Sequence, residues 1–176
     1  MGLSVVVYKN IEFFSTFNDE EYSKSNYPEN KKIFELYLNE NFPKQGEGLI
    51  DKSLYTFEEK LEGWQSSYSG FGDWREKLAK LVGYKAVSTE GNNYASRKMS
   101  HLYGVFERTD GDFHELLYFS DCEGSINTKT SKKLYIDFQK WDERAKNLND
   151  RVFYNGYKIW LNSFKFASQN GVVCYH

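Results

Sequence analysis

Runs and spacings of hydrophobic residues predict both strands and helices along this chain. The valine-rich run from Leu3 to Tyr8 predicts a buried strand, and Val172 to Tyr175 predicts a second, short one. Helical spacing of hydrophobic residues predicts four helices, over residues 29–39, from Phe71 to Leu81 with a stop at Gly83, over 130–148, and over 150–169.

The hydrophobic faces of these helices predict the core of the protein. The first helix places Ile33, Leu36 and Tyr37 on one face. The inward positions of the other three helices are Phe71, Trp74, Leu78 and Leu81; Leu134, Phe138, Trp141, Ala145 and Leu148; and Phe153, Tyr157, Trp160, Leu161 and Phe164. Large aromatic residues at such positions are usually buried, so we expect these rings to form most of the core.

The middle of the chain predicts further strands separated by loops. Leu54 to Leu61 predicts one strand, and Leu102 to Glu107 with Phe113 to Phe119 predicts a hairpin. Residues 84–100 are expected to form a loop, and residues 10–30 a loop or a loop with a short helix. Because strands and helices alternate irregularly, we predict a single α+β domain over residues 1–176, with one mixed sheet and helices packed mainly on one face.

The amino-acid composition limits the kinds of molecule that this protein is expected to bind. Aromatic residues make up 18% of the 176 residues, which is enough to line a pocket as well as a core. The net charge is −2 and the basic residues do not cluster, which argues against general nucleic-acid binding. Two cysteines, no secretory signal and no long apolar run predict a cytoplasmic protein with free thiols and no membrane association.

Metal and cofactor motifs are missing from the sequence. It contains no His-Glu-x-x-His or Cys-x-x-Cys motif, and no Gly-Lys-Ser/Thr follows the glycines near residue 70. We therefore expect no resident metal and no cofactor.

The segment from Trp64 to Arg75 concentrates candidate binding residues where a strand is expected to pass into a helix. Ser67 or Ser69 can cap that helix, and its N-terminus, next to Tyr68, favours an anion. Arg75 opposes the helix dipole, so it requires an internal carboxylate or an anionic ligand as its partner. The alternative is that the serines are only caps and that Arg75 only balances an acidic neighbour.

The segment from Phe119 to Gly124 is a second polar turn. In extended chain, Asp121 and Glu123 point to the same side, where they can bind a divalent cation or transfer protons. Alternatively, Asp121 caps the next helix and Glu123 is solvated. If the strands before the two turns are parallel neighbours, both turns open on one side of the sheet. The predicted pocket then contains Ser67, Tyr68, Ser69, Arg75, Asp121 and Glu123, with His176 at its edge.

Three motifs together resemble a family of small, largely uncharacterised bacterial and phage proteins. They are Ser67–Arg75 (SYSGFGDWR), Phe119–Ile126 (FSDCEGSI) and Asn170–His176 (NGVVCYH). The resemblance covers the first strand and residue 50 to the end. It implies that the two turns and the C-terminal segment converge, and it supplies no catalytic residues.

These observations support three hypotheses of function. The first is a binding protein that holds or sequesters an anionic, nucleotide-like small molecule, as some small phage proteins do with host signalling nucleotides. The second is a metal-assisted hydrolase that uses Asp121 and Glu123, with His176 as a further group. The third is a protein-interaction module. The sequence leaves enzymatic activity and oligomeric state open.

Overall fold

The computed structural model describes residues 2–16, 31–89 and 99–176. Within these residues, strands and helices are arranged in three layers. The elements are β1 (Gly2–Lys9), β2 (Glu12–Thr16), β3 (Ile33–Leu36), β4 (Ser53–Thr56), β5 (Glu59–Ser67), α1 (Tyr68–Leu81), β6 (Val87–Ser88), β7 (Met99–Ser100), a 3₁₀ helix (Tyr103–Glu107), α2 (His114–Tyr118), β8 (Gly124–Ile126), α3 (Thr128–Lys146), α4 (Arg151–Ala167) and β9 (Val172–Tyr175).

A four-stranded sheet in the order β5-β1-β9-β8 forms the middle layer. All its pairings are antiparallel, with Val7 opposite Val173 and Gly124 opposite Tyr175. Both faces of β1 are covered: Val5 and Val7 face the helices, while Val6 and Tyr8 face a second sheet. This two-sided burial explains why β1 is a continuous apolar run rather than an alternating pattern.

The second sheet, in the order β2-β4-β3, contains the segment where a helix was predicted. The helix prediction for residues 29–39 is wrong over its described part, because Ile33–Leu36 is the strand β3. Phe34 and Leu36 are buried at a period of two, and the Phe34 ring stacks on Tyr8 at 3.8 Å between centroids. Burial of this face against β1 therefore outweighs the weak helical spacing of the same residues.

Helices α1, α3 and α4 cover the opposite face of the main sheet. Their predicted core is confirmed for most positions, with Trp74, Leu78, Phe138, Trp160 and Phe164 all buried. Trp141 is only partly buried, and Leu148 is exposed beyond the end of α3. The α+β class is confirmed, with helices on one face of the main sheet and a second antiparallel sheet on the other.

The predicted hairpin between residues 102 and 119 is wrong. Residues 103–107 form a 3₁₀ helix, and residues 114–118 form the short helix α2. Phe113 has a left-handed backbone at φ 58°, and its N–H donates to the buried Asp137 carboxylate at 2.8 Å. Leu116 and Leu117 then enter the core from one turn of helix, which a strand over the same residues could not achieve.

The structure also differs from the sequence predictions in the loops and in the strand before α1. The single strand predicted over 54–61 is two strands, β4 and β5, which belong to different sheets. The predicted loop over residues 10–30 contains β2, and residues 17–30 lie outside the described residues. Of the predicted loop over residues 84–100, residues 90–98 also lie outside the described residues. No helix of the described part is both long and apolar enough to cross a membrane.

Candidate functional site

The two polar turns lie at the same end of the main sheet, as expected, but for a different reason. β5 ends at Ser67, opposite Gly2, while β8 begins at Gly124, opposite Tyr175. These strands are separated by β1 and β9, so they are neither neighbours nor parallel. The second turn reaches this end because it precedes an antiparallel strand, instead of following a parallel one.

The first turn passes directly from β5 into α1. Ser67 is the N-cap, and its hydroxyl accepts a hydrogen bond from the N–H of Gly70 at 3.1 Å. The Ser69 hydroxyl lies 3.1 Å from that of Ser67. The first turn of α1 contains no acidic residue, so its partial positive charge is not offset there.

Arg75 joins the two turns. Its guanidinium donates to the Phe119 carbonyl at 3.1 Å and to the Asp121 carboxylate at 3.2 Å. It also lies over the Phe71 ring at 4.5 Å from the ring centroid. The side chain is buried, so of the two partners expected from the sequence, the structure provides the internal carboxylate. Asp121 does not cap a helix, because the N-cap of α3 is Asn127.

A cavity of about 700 Å³ opens beside this ion pair. We call it the aromatic cleft; its rings belong to Phe42, Tyr68, Tyr103, Phe106, Tyr118 and Phe119, and its polar lining includes Ser69, Asp73, Arg75, Ser120 and Asp121. The Tyr118 ring lies between its neighbours, with its centroid 5.2 Å from Phe106 and 5.6 Å from Phe42. Phe106 and Tyr118 are 55% and 39% exposed, which is unusual for rings in such close contact.

Glu76 holds one wall of the aromatic cleft in place. Its carboxylate accepts hydrogen bonds from the Ser100 hydroxyl at 2.6 Å, the His101 N–H at 2.8 Å and the Leu102 N–H at 3.1 Å. The 3₁₀ helix that carries Tyr103 and Phe106 follows immediately. Gly104 in that helix lies so close to the Lys85 carbonyl that a Cβ atom would come within 2.0 Å of its oxygen.

Glu123 and His176 line a different cavity, of about 520 Å³, together with Glu35, Asp51 and Cys122. The prediction of one pocket for all the candidate residues is therefore corrected. The physical reason is that the chain bends at 121–123 before β8, instead of running extended. Gly124 has φ 109° and lies against Asn39, whose amide donates to the Glu123 carbonyl at 3.4 Å.

Ser67 and His176 each have a structural role in the main sheet or in α1. Ser67 caps α1 and is not part of either cavity lining. His176 continues β9, and its backbone exchanges hydrogen bonds with Ser4 at 2.8 and 3.0 Å. Partial removal from water lowers the pKa of its imidazole, although the nearby Glu35 carboxylate acts in the opposite direction.

The described residues contain no group of three or more His, Cys, Asp or Glu side chains placed to hold a metal ion. Asp121 and Glu123 line separate cavities, and the hydrolase hypothesis stays a prediction. Both cysteines are free; Cys122 is exposed, and burial raises the pKa of the Cys174 thiol to about 12.

Sequence reasoning named Tyr68 as a candidate but missed most of the other aromatic rings of the cleft. Phe42, Tyr103, Phe106 and Tyr118 lie in three different local contexts, and only Tyr103 and Phe106, in one 3₁₀ helix, are close in sequence. The only sequence indication was the high aromatic content. Comparisons with known proteins add no assignment, since no family model, curated protein or solved structure matches this chain. The resemblance to small bacterial and phage proteins therefore stays a prediction.

Proposed function

We propose that this protein binds a nucleotide-like small molecule in the aromatic cleft and acts by holding or sequestering it in the cytoplasm. The heteroaromatic ring of the ligand stacks on the exposed rings of the cleft. Its anionic group lies at the first turn of α1. The observation that carries the proposal is a cavity lined by exposed aromatic rings directly beside a helix N-terminus.

The exposed rings supply the affinity for a planar ligand. Phe106 and Tyr118 leave ring surface in contact with water even though each lies within 6 Å of another ring. Stacking of a base on an aromatic side chain contributes about 1–3 kcal/mol. A cavity of about 700 Å³ is of the size that holds a drug-sized ligand.

The first turn of α1 suits the anionic end of that ligand. Helix geometry leaves the first N–H groups without a partner inside the helix, and Ser67 takes the one of Gly70. Tyr68 and Ser69, from the same turn, line the cleft. Their N–H groups and the Ser69 hydroxyl are the donors that we assign to a phosphate.

Native mass spectrometry of purified protein, before and after denaturation, tests this proposal. We expect a mass excess that is lost on denaturation and a released compound with the ultraviolet spectrum of a nucleobase. Calorimetric titration with nucleoside monophosphates then measures binding directly. Phe106→Ala should weaken that binding, whereas Ile136→Ala, at an exposed position of α3 outside the cleft, should leave it unchanged.

The proposal fails if the purified protein carries no compound and no nucleoside monophosphate binds. It also fails if binding occurs but Phe106→Ala and Ile136→Ala affect it equally, because the aromatic cleft would then not be the site.

A further inference from the structure

We infer that Asp121 determines specificity in the aromatic cleft by accepting a hydrogen bond from an amino group on the heteroaromatic ring of the ligand. The preferred ligands are thus amino-substituted bases, such as adenine, over otherwise identical bases that lack the amino group. The inference rests on the proposed function, because it names the class of ligand for the same cleft.

Asp121 presents an acceptor to the cleft. One of its oxygens, Oδ2, receives a hydrogen bond from Arg75, whereas Oδ1 receives none from the described residues. The side chain is 44% exposed and belongs to the cleft lining. An ionised carboxylate can only accept hydrogen bonds, so a ligand group that meets Oδ1 must be a donor.

The position of this acceptor is fixed before any ligand arrives. Arg75 is held from three sides, by the Phe119 carbonyl, the Phe71 ring and Asp121 itself. Since the guanidinium is buried, its geometry is set by the core and not by solvent. A carboxylate held in this way loses little freedom when a ligand binds, which favours discrimination between ligands.

The surroundings of Asp121 favour an amino group over the other groups of a nucleotide. A phosphate is repelled by the carboxylate, so within the cleft it lies away from Asp121. Bases stacked on Phe106 or Tyr118 present their edges, and an exocyclic amine on such an edge is the donor that aspartate accepts from in base recognition.

Paired ligands that differ only in this amine test the inference. Calorimetric titration of the wild-type protein compares adenosine monophosphate with purine riboside monophosphate, and guanosine monophosphate with inosine monophosphate. We expect one amino-bearing member to bind at least about tenfold more tightly than its partner, because a hydrogen bond to a charged group is stronger than one between neutral groups.

Asp121→Asn then assigns the preference to this residue. The carboxamide keeps an acceptor for Arg75 but can present its NH₂ group to the ligand, so the preference should fall to near unity or reverse. Glu123→Gln makes the same chemical change two residues away, in the other cavity, and should leave the preference intact. Thermal melting of both variants verifies folding; if Asp121→Asn does not fold, the wild-type ligand pairs decide alone.

Two results overturn the inference while leaving the proposed function in place. The first is binding in which the amine makes no difference in either pair. The second is a preference that Asp121→Asn and Glu123→Gln both retain. If no nucleoside monophosphate binds at all, the proposed function itself fails.

Discussion

The protein contains two aromatic clusters. The distances between ring centroids are nearly the same in both, but one cluster is buried and the other is exposed to solvent. In the core, Trp160 lies 5.5 Å from Phe71 and 5.6 Å from Phe164, and it is completely buried. In the aromatic cleft, Phe106 lies 5.2 Å from Tyr118, and it is more than half exposed. Contact between rings therefore does not distinguish a core from a site. What differs is whether a second layer of structure covers the rings.

The origin of the two clusters explains this difference. The core rings come from α1 and α4, long helices that pack on the main sheet. Apart from Tyr68 at the start of α1, the cleft rings come from a 3₁₀ helix, a five-residue helix and loops, and Phe106 and Tyr118 on these short elements stay partly exposed. Exposed aromatic area lowers stability relative to burial, and under the proposed function these rings serve to bind the ligand.

Trp160→Ala is expected to have the largest effect on stability. Removing a fully buried tryptophan leaves a cavity among five other rings and should lower the free energy of unfolding by about 3–5 kcal/mol. Urea denaturation followed by circular dichroism measures this change. A variant as stable as the wild type would mean that α4 does not pack as described.

Arg75→Ala should have the next largest effect, because Arg75 lies at the boundary between the two clusters. Its loss removes hydrogen bonds to Phe119 and Asp121 and the contact with Phe71. Asp121 is half exposed and can be hydrated, so we expect a loss of about 2–3 kcal/mol, below that for a fully buried ion pair. Urea denaturation of Arg75→Ala and Asp121→Ala is the measurement. Equal stability of Arg75→Ala and the wild type would show that the ion pair does not hold the turns together.

Glu76→Gln should destabilise only the wall of the cleft. The amide retains one acceptor oxygen but loses the other, so it cannot satisfy all three donors of residues 100–102. We expect a loss of about 1–2 kcal/mol. Hydrogen exchange should become faster at the amides of His101 and Leu102 while those of α4 are unchanged. Uniformly faster exchange would instead indicate a global role for Glu76.

Tyr118→Ala is expected to change stability least, by about 0.5–1 kcal/mol, because its ring is partly exposed and lies outside the main core. Binding of a nucleoside monophosphate should nevertheless weaken, since a stacking surface is lost. Calorimetry and urea denaturation of the same sample separate the two effects. A loss of stability close to that of Trp160→Ala would remove the distinction between cleft and core.

The sequence predicted the parts of this fold whose patterns are long or unambiguous. The strands β1 and β9 and the helices α1, α3 and α4 follow from apolar runs and helical spacing. The strand β3 was missed because Ile33 and Leu36 happen to be three residues apart, while the pair that packs inward is Phe34 and Leu36. With four residues in the strand, tertiary burial decides between the two patterns.

The sequence predicted only those features of the candidate site that depend on residues close together in the chain. The capping serine and the need of Arg75 for a partner follow from helix electrostatics. The separation of Asp121 from Glu123 depends on a bend before β8, and the exposure of Phe106 depends on what does not pack over it. The spacing of residues in the sequence determines neither the bend nor the exposure. Both could be recognised only in the three-dimensional structure.

The pairing of β1 with β9 also has a consequence for how the chain folds. Tyr8 lies opposite Val172, 164 residues later, in the middle of the main sheet. Closing a flexible loop of that length costs about 4–5 kcal/mol of chain entropy before the contact stabilises anything. The sheet can therefore be completed only late, once β9 arrives, and high contact order of this kind makes folding slow. Until then, the apolar edge of β1 remains open to pairing with other chains.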